Sequence, residues 1–132
     1  MGQEGGDAMD RPGRVLIVDD DPGIRQVLDL VLAGEGFEVR QAGDGSEGLA
    51  ILDRWQPDLI LLDLVMPVMD AWAFRDKQRQ TESIADIPVI VLSASSNLRC
   101  QQTAAIEPAA VVPKPFDLNL LLETVGQVLH GN

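Results

Sequence analysis

From residue 14 onward the chain alternates between short, dense apolar runs and longer stretches whose apolar residues recur at helical spacing. The runs are RVLIV (14–18), FEVRQA (37–42), DLILL (58–62), PVIVL (88–92) and AAVV (109–112). The first, third and fourth are almost wholly Val, Ile and Leu, which is how strands buried on both faces of a parallel sheet read. The second carries Glu38, Arg40 and Gln41 and reads as an edge strand. Helices are predicted over 22–35, 45–55, 71–80, 97–105 and 117–129. In the first, Ile24, Val27, Leu28 and Val31 fall at helical spacing, Asp21 can cap the start, Pro22 suits the first turn, and Gly34 and Gly36 close it. Asp44 is a cap for the second. The last starts at Asp117 and buries Leu118, Leu121, Leu122, Val125 and Leu129.

Strands alternating with helices in this way predict an α/β fold: a five-stranded parallel sheet, doubly wound as (βα)5, with right-handed crossovers placing helices on both faces. Such sheets do their work at the carboxyl ends of the strands. There the sequence presents VDDD after the first strand, Asp63 after the third, Ser93 after the fourth and Lys114 after the fifth. Two carboxylates at ~4 Å repel by roughly 4 kcal/mol at an effective dielectric of ~20, so such a cluster calls for a cation. Oxygen ligands without His or Cys favour Mg2+. A carboxylate beside Mg2+ can attack phosphorus to give an aspartyl phosphate, with Lys114 neutralising one phosphoryl oxygen and Ser93 donating to another. Singly, each residue has a plainer role: Asp21 as a helix cap, Asp63 as a cap or solvated acid, Ser93 in a turn, Lys114 on the surface. Their meeting at one edge of one sheet is what carries the reading.

Composition narrows the class. The chain has 132 residues, enough for one domain, and a net charge of −11 from 21 acids against 10 Lys plus Arg. That balance repels phosphate backbones and anionic lipid, so no direct nucleic-acid binding and no membrane association are expected. One cysteine, Cys100, excludes an internal disulfide and fits a reducing, cytoplasmic setting. No apolar run approaches the ~18 residues of a membrane helix. Residues 1–13, MGQEGGDAMDRPG, lack the basic start and apolar core of a signal peptide and read as a disordered tail before a domain spanning 14–130. His130, in the last turn of the last helix, reads as a surface residue favourable to the helix dipole.

The stretch GDGSEG, Gly43 to Gly48, matches the dinucleotide fingerprint G-x-G-x-x-G. Asp44 and Glu47 would set negative charge beside a pyrophosphate, and the preceding strand looks like an edge. A turn with an Asp cap is the plainer account, and no organic cofactor is expected.

The motifs VLIVDDDPGIR, DLILLDLVMPVMD, PVIVLSAS and VVPKPF occur here in one order and spacing. Together they resemble the receiver domain of two-component response regulators, over about residues 14 to 129. The resemblance implies a strand order of 2-1-3-4-5 and a phosphorylation-dependent signalling switch. By that resemblance Asp63 is the phosphoacceptor and Ser93 the switch hydroxyl. Lys114 contacts the phosphoryl group and is followed by a cis bond to Pro115. Asp20 holds Mg2+ directly, Asp19 through water, and the backbone carbonyl of Val65 completes the protein ligands. The implied phosphodonor is a sensor histidine kinase or phosphotransfer protein. The implied output surface, for a downstream partner or a homodimer, is the face of the fourth predicted helix, the fifth strand and the last helix. The domain would catalyse only its own phosphorylation and autodephosphorylation.

Three departures bear on this. Val111 stands where the family often has an aromatic ring that swings inward, so the signal is expected to travel through the loop after Ser93. Val68 and Ala71 replace common glycines, and Val65 and Ser95 occupy positions that tune water access. Two other classes stay open at this point: an unphosphorylated receiver-like interaction module, and an enzyme, either a cofactor binder or a Mg2+ phosphohydrolase. The sequence also leaves open whether the chain acts alone or is part of a longer regulator or hybrid kinase.

Overall fold

The computed structural model describes residues 12–64, 66–93 and 104–130. The expectations for residues 1–11, Val65, Ser95 and Cys100, and for most of the predicted helix 97–105, lie outside these residues. The elements are β1 (Arg14–Val18), α1 (Pro22–Gly34), β2 (Glu38–Ala42), α2 (Gly45–Leu52), β3 (Leu59–Asp63), α3 (Ala71–Arg79), β4 (Val89–Ser93), β5 (Ala110–Pro113) and α4 (Leu118–His130). All strand pairs are parallel and the order is β2-β1-β3-β4-β5, as expected.

Strand periodicity builds the two core layers. Val15, Ile17, Leu59, Leu61, Ile90 and Leu92 face one side, where Leu28 and Leu32 of α1 and Leu121 and Val125 of α4 cover them. Leu16, Val18, Ile60, Leu62, Val89 and Val91 face the other, under Leu52 of α2 and Phe74 of α3. Each fully buried side chain of this kind contributes roughly 1.5–3 kcal/mol against exposure. The face predicted for α1 is turned slightly: Leu28 and Leu32 are its buried positions, and Val27 sits on the flank, 47% exposed.

Two boundaries matter for the site. β3 and β4 end on Asp63 and Ser93, one residue beyond the predicted runs, because the ladder continues through the pairs Asp63↔Leu92 and Ser93↔Pro113. Both polar residues are therefore held in sheet geometry. α2 ends at Leu52, three residues before the predicted end, and Pro57 follows close behind; a proline disfavours helical backbone in the residue before it. α1 closes as expected. Gly36 takes a positive φ of 95°, its N–H reaches the Ala33 carbonyl, and the Phe37 N–H reaches the Leu32 carbonyl. This is a Schellman closure, with Leu32 and Phe37 in the same apolar cluster.

Candidate functional site

β1 runs out at Val18, but Asp19 stays on the sheet, its N–H donating to the Ala42 carbonyl at 3.0 Å. The Asp19 side chain is fully buried. Every oxygen it has is engaged. Oδ1 accepts from the Asp21 N–H at 2.9 Å, Oδ2 from Lys114 Nζ at 2.9 Å, and the main-chain carbonyl from Arg25 Nη1 at 2.6 Å. Asp20, next in line, is exposed. Asp21 caps α1, accepting from the N–H groups of Gly23 and Ile24 at 2.8 and 3.2 Å. One acid run thus divides into a buried anchor, a solvent-facing carboxylate and a helix cap.

β3, the central strand, delivers Asp63, which is also buried. Lys114 follows β5, and its N–H donates to the Ser93 carbonyl at 2.7 Å, which ties the lysine to the end of β4. The Lys114–Pro115 peptide is cis, as the resemblance implied. The Lys114 ammonium reaches across the strand ends to Asp63 Oδ1 at 3.3 Å as well as to Asp19. Ser93 is buried at the end of β4. The structure therefore brings Asp19, Asp20, Asp63 and Lys114 together and sets Ser93 on the neighbouring strand; the Val65 carbonyl falls outside the described residues.

The electrostatics follow from crowding. One carboxylate oxygen from each of Asp19, Asp20 and Asp63 lies within 4.8 Å of the others. Burial, then the charge of Asp19, pushes the Asp63 carboxyl up to about 6; Lys114 opposes the shift and Asp20 adds to it. Burial alone would lower Lys114, but the hydrogen bonds and charges of Asp19 and Asp63 outweigh it and raise the ammonium above its ordinary value. Lys114 is cationic at neutral pH and is one ammonium against three carboxyl groups. The donor set is oxygen only, without imidazole or thiolate, and fits a small hard dication.

Two residues of the surround were not picked out from the sequence. Arg25 holds the Asp19 carbonyl, and its Nε donates to Gln41 Oε1 at 3.2 Å. Gln41 Nε2 in turn donates to Asp29 at 2.7 Å. Gln41 marks only an edge strand in the sequence; the β1–β2 register, Ile17↔Gln41, is what sets it beside α1.

GDGSEG is a capping device. Asp44 caps α2, accepting from the Glu47 N–H at 2.8 Å, and the Glu47 carboxylate accepts from the Gly43 N–H. Amides that would face a pyrophosphate are spent on the chain's own acids. A Cβ on Gly45 would lie 2.8 Å from Met69 Cγ and 2.9 Å from its carbonyl oxygen, and one on Gly48 would lie 3.2 Å from Phe74 and Val18. These glycines give room to neighbouring side chains and to the Met69 backbone.

Comparison with known proteins gives one consistent result. The family model described as "Response regulator receiver domain" matches residues 15–126. The chain is 37% identical over 119 residues to the DNA-binding dual master transcriptional regulator RpaA of Synechocystis sp., covering 89% of this chain and 49% of that protein. It is 36% identical over 121 residues to the DNA-binding response regulator MtrA of Mycolicibacterium smegmatis, covering 90% and 51%. The chain spans about half the length of these relatives. The solved structure of the chemotaxis response regulator CheY4 of Vibrio cholerae superposes with a TM-score of 0.83 at 32% identity, over 89% of this chain and 98% of that one. That of response regulator TrrA of Thermotoga maritima, in complex with Mg2+ and BeF, does so with a TM-score of 0.77 at 31% identity, over 88% and 98%.

Proposed function

The chain belongs to the response regulator receiver domain family, the phosphorylation-dependent switches of two-component signalling, and we propose that Asp63 is its phosphoacceptor. The observation that carries this is the convergence of three carboxylates within 4.8 Å, with the Lys114 ammonium spanning Asp19 and Asp63. We take residues 14–130 as the receiver unit.

Asp63, ionised above about pH 6, attacks the phosphorus of a phosphohistidine. The O–P bond forms as the P–N bond breaks, and its electron pair returns to the departing imidazole. Lys114 is held by Asp19 throughout, so its ammonium stays in place to neutralise a phosphoryl oxygen once Asp63 is phosphorylated. Ser93, on the adjacent strand, donates its hydroxyl to another oxygen and is drawn toward the site. Asp20, Asp63, the Val65 carbonyl and Asp19, the last through water, are the groups that would hold Mg2+, whose charge when bound would offset the acid cluster and the phosphoryl oxygens. Water later cleaves the anhydride at the same site, so the domain turns over no external product.

Receiver domains exchange signals with histidine kinases and output domains. Here the phosphodonor is a sensor histidine kinase or phosphotransfer protein. The output face includes β5 and α4, where a downstream partner or a second copy docks. Val111, 47% exposed, supplies no ring to rotate inward, so the change travels from Ser93 into the chain that follows it. RpaA and MtrA are DNA-binding proteins; this chain, with a net charge of −11, controls such binding without touching the duplex. Among the described residues no helix is long and apolar enough to cross a membrane, and a cytoplasmic setting suits the chemistry.

Incubation with acetyl phosphate and Mg2+, followed by intact mass, tests the proposal. A gain of one phosphoryl group in the wild type and none in Asp63→Ala supports it. Equal gains in both would move the phosphoacceptor elsewhere.

A further inference from the structure

The loop from Asp63 to α3 contains a strained residue whose side chain stands mostly in solvent. Val68 has a φ of 69°, in the left-handed region, where a β-branched residue is an outlier. The Met69 N–H donates to the Pro67 carbonyl at 2.7 Å, so Val68 is the middle residue of a γ-turn of the rare, positive-φ kind. Glycine adopts this conformation without steric cost. Burial does not offset the strain, because Val68 is 84% exposed, the most exposed large apolar side chain among the described residues.

The turn is pinned on both sides. Met66 is buried before it. After it, the Met69 carbonyl accepts from the Gly45 N–H at 3.3 Å, Asp70 caps α3 through the Ala73 N–H at 3.0 Å, and the Ala71 N–H reaches the Leu64 carbonyl at 3.3 Å. These contacts force the arch and lift its apex side chain into solvent. Strain of this kind persists only where the surroundings over-determine it, and it gathers at ligand contacts.

We propose that Val68 is the apolar contact by which this domain recognises its protein phosphodonor. The occupant follows from position. Any protein that presents a phosphohistidine to Asp63 covers the carboxyl edge of the sheet, and Val68 stands on the loop leaving that edge. Exposed acids stand on the same edge at Asp20, Asp21 and Asp70. The complementary surface is an apolar recess bordered by basic groups, beside the phosphohistidine. A small phosphodonor has no such surface and does not sense Val68. The inference rests on the reading of Asp63 as phosphoacceptor and adds to it the contact that selects the donor.

The test compares wild type, Val68→Thr and Val68→Gly with two kinds of donor: phosphoramidate, and autophosphorylated histidine kinases screened for the one that labels the wild type fastest. Threonine keeps the shape and the backbone strain but removes the apolar surface. Transfer from the kinase is expected to fall about tenfold in both variants, the value of burying one valine side chain. Labelling by phosphoramidate should stay within about twofold of wild type. Val68→Gly should also melt about 3 °C higher, as the strain is relieved, while Val68→Thr melts with the wild type. Unchanged transfer from the kinase in both variants overturns the inference and leaves the phosphoacceptor intact. Failure of phosphoramidate to label the wild type overturns the phosphoacceptor reading instead, and this inference with it.

Discussion

Lys114 rests more closely on Asp19 than on Asp63: its Nζ lies 2.9 Å from Asp19 Oδ2 and 3.3 Å from Asp63 Oδ1. In the proposed reaction the ammonium is therefore anchored on a residue other than the phosphoacceptor. On the proposal that Asp63 becomes an anhydride and loses its charge, Lys114 would keep a buried partner in Asp19, and its other donors would meet the phosphoryl oxygens.

Removing that cation should be costly. Lys114→Met leaves two buried carboxylates without their counter-charge and should destabilise the metal-free protein by about 3 kcal/mol. Mg2+ should recover part of the loss, because its charge would offset the same group of carboxylates. Urea denaturation with chelator and with Mg2+ checks both; a variant as stable as wild type without metal would contradict the account.

The Asp63 charge has the opposite effect. Its carboxyl is raised from 3.8 to about 6 in the folded protein, so between those values the native state holds a proton that the unfolded chain has released. Its contribution to stability therefore falls as pH rises through that window and stays low above it. Asp63→Asn should stabilise the metal-free domain by about 1–2 kcal/mol near neutral pH and above, and by less at about pH 5. Denaturation midpoints at the two pH values measure this, and a gain that grows toward acid would be the wrong sign.

Arg25 braces Asp19 from behind through the main-chain carbonyl. Arg25→Met should cost about 1–2 kcal/mol, since a hydrogen bond from a charged donor is lost at a buried residue. It should also weaken Mg2+ binding several-fold, because Asp19 is less firmly held. Equilibrium Mg2+ titration separates the second effect from the first.

Gly45 and Gly34 make a matched pair. A methyl at Gly45 meets Met69 atoms at 2.8 and 2.9 Å, whereas one at Gly34 meets nothing within 4 Å. Gly45→Ala should destabilise by about 1–3 kcal/mol, and Gly34→Ala should be neutral or stabilising by a few tenths. Thermal melts of the two variants decide whether GDGSEG is a packing element, as the geometry indicates.

The fold was legible because its signal is dense. Runs such as LILL and VIVL admit only a doubly covered strand, and Pro22, Asp21, Gly36 and Asp44 punctuate the helices as their chemistry requires. The acidic site was legible because Asp19, Asp20, Asp63 and Lys114 each follow or close a strand. The Arg25–Gln41–Asp29 brace was not, since it depends on the β1–β2 register, which no local pattern specifies. The strain at Val68 was hidden too: the sequence shows a valine at a glycine position, but only the γ-turn between Pro67 and Met69 shows its cost.

The most direct test is to locate the phosphoryl group. After labelling with acetyl phosphate and Mg2+, borohydride reduction converts an aspartyl phosphate to homoserine, and peptide sequencing reads the position. The account predicts homoserine at 63 alone. Homoserine at 19 or 20, or an unmodified chain under conditions that label another receiver domain, would contradict it.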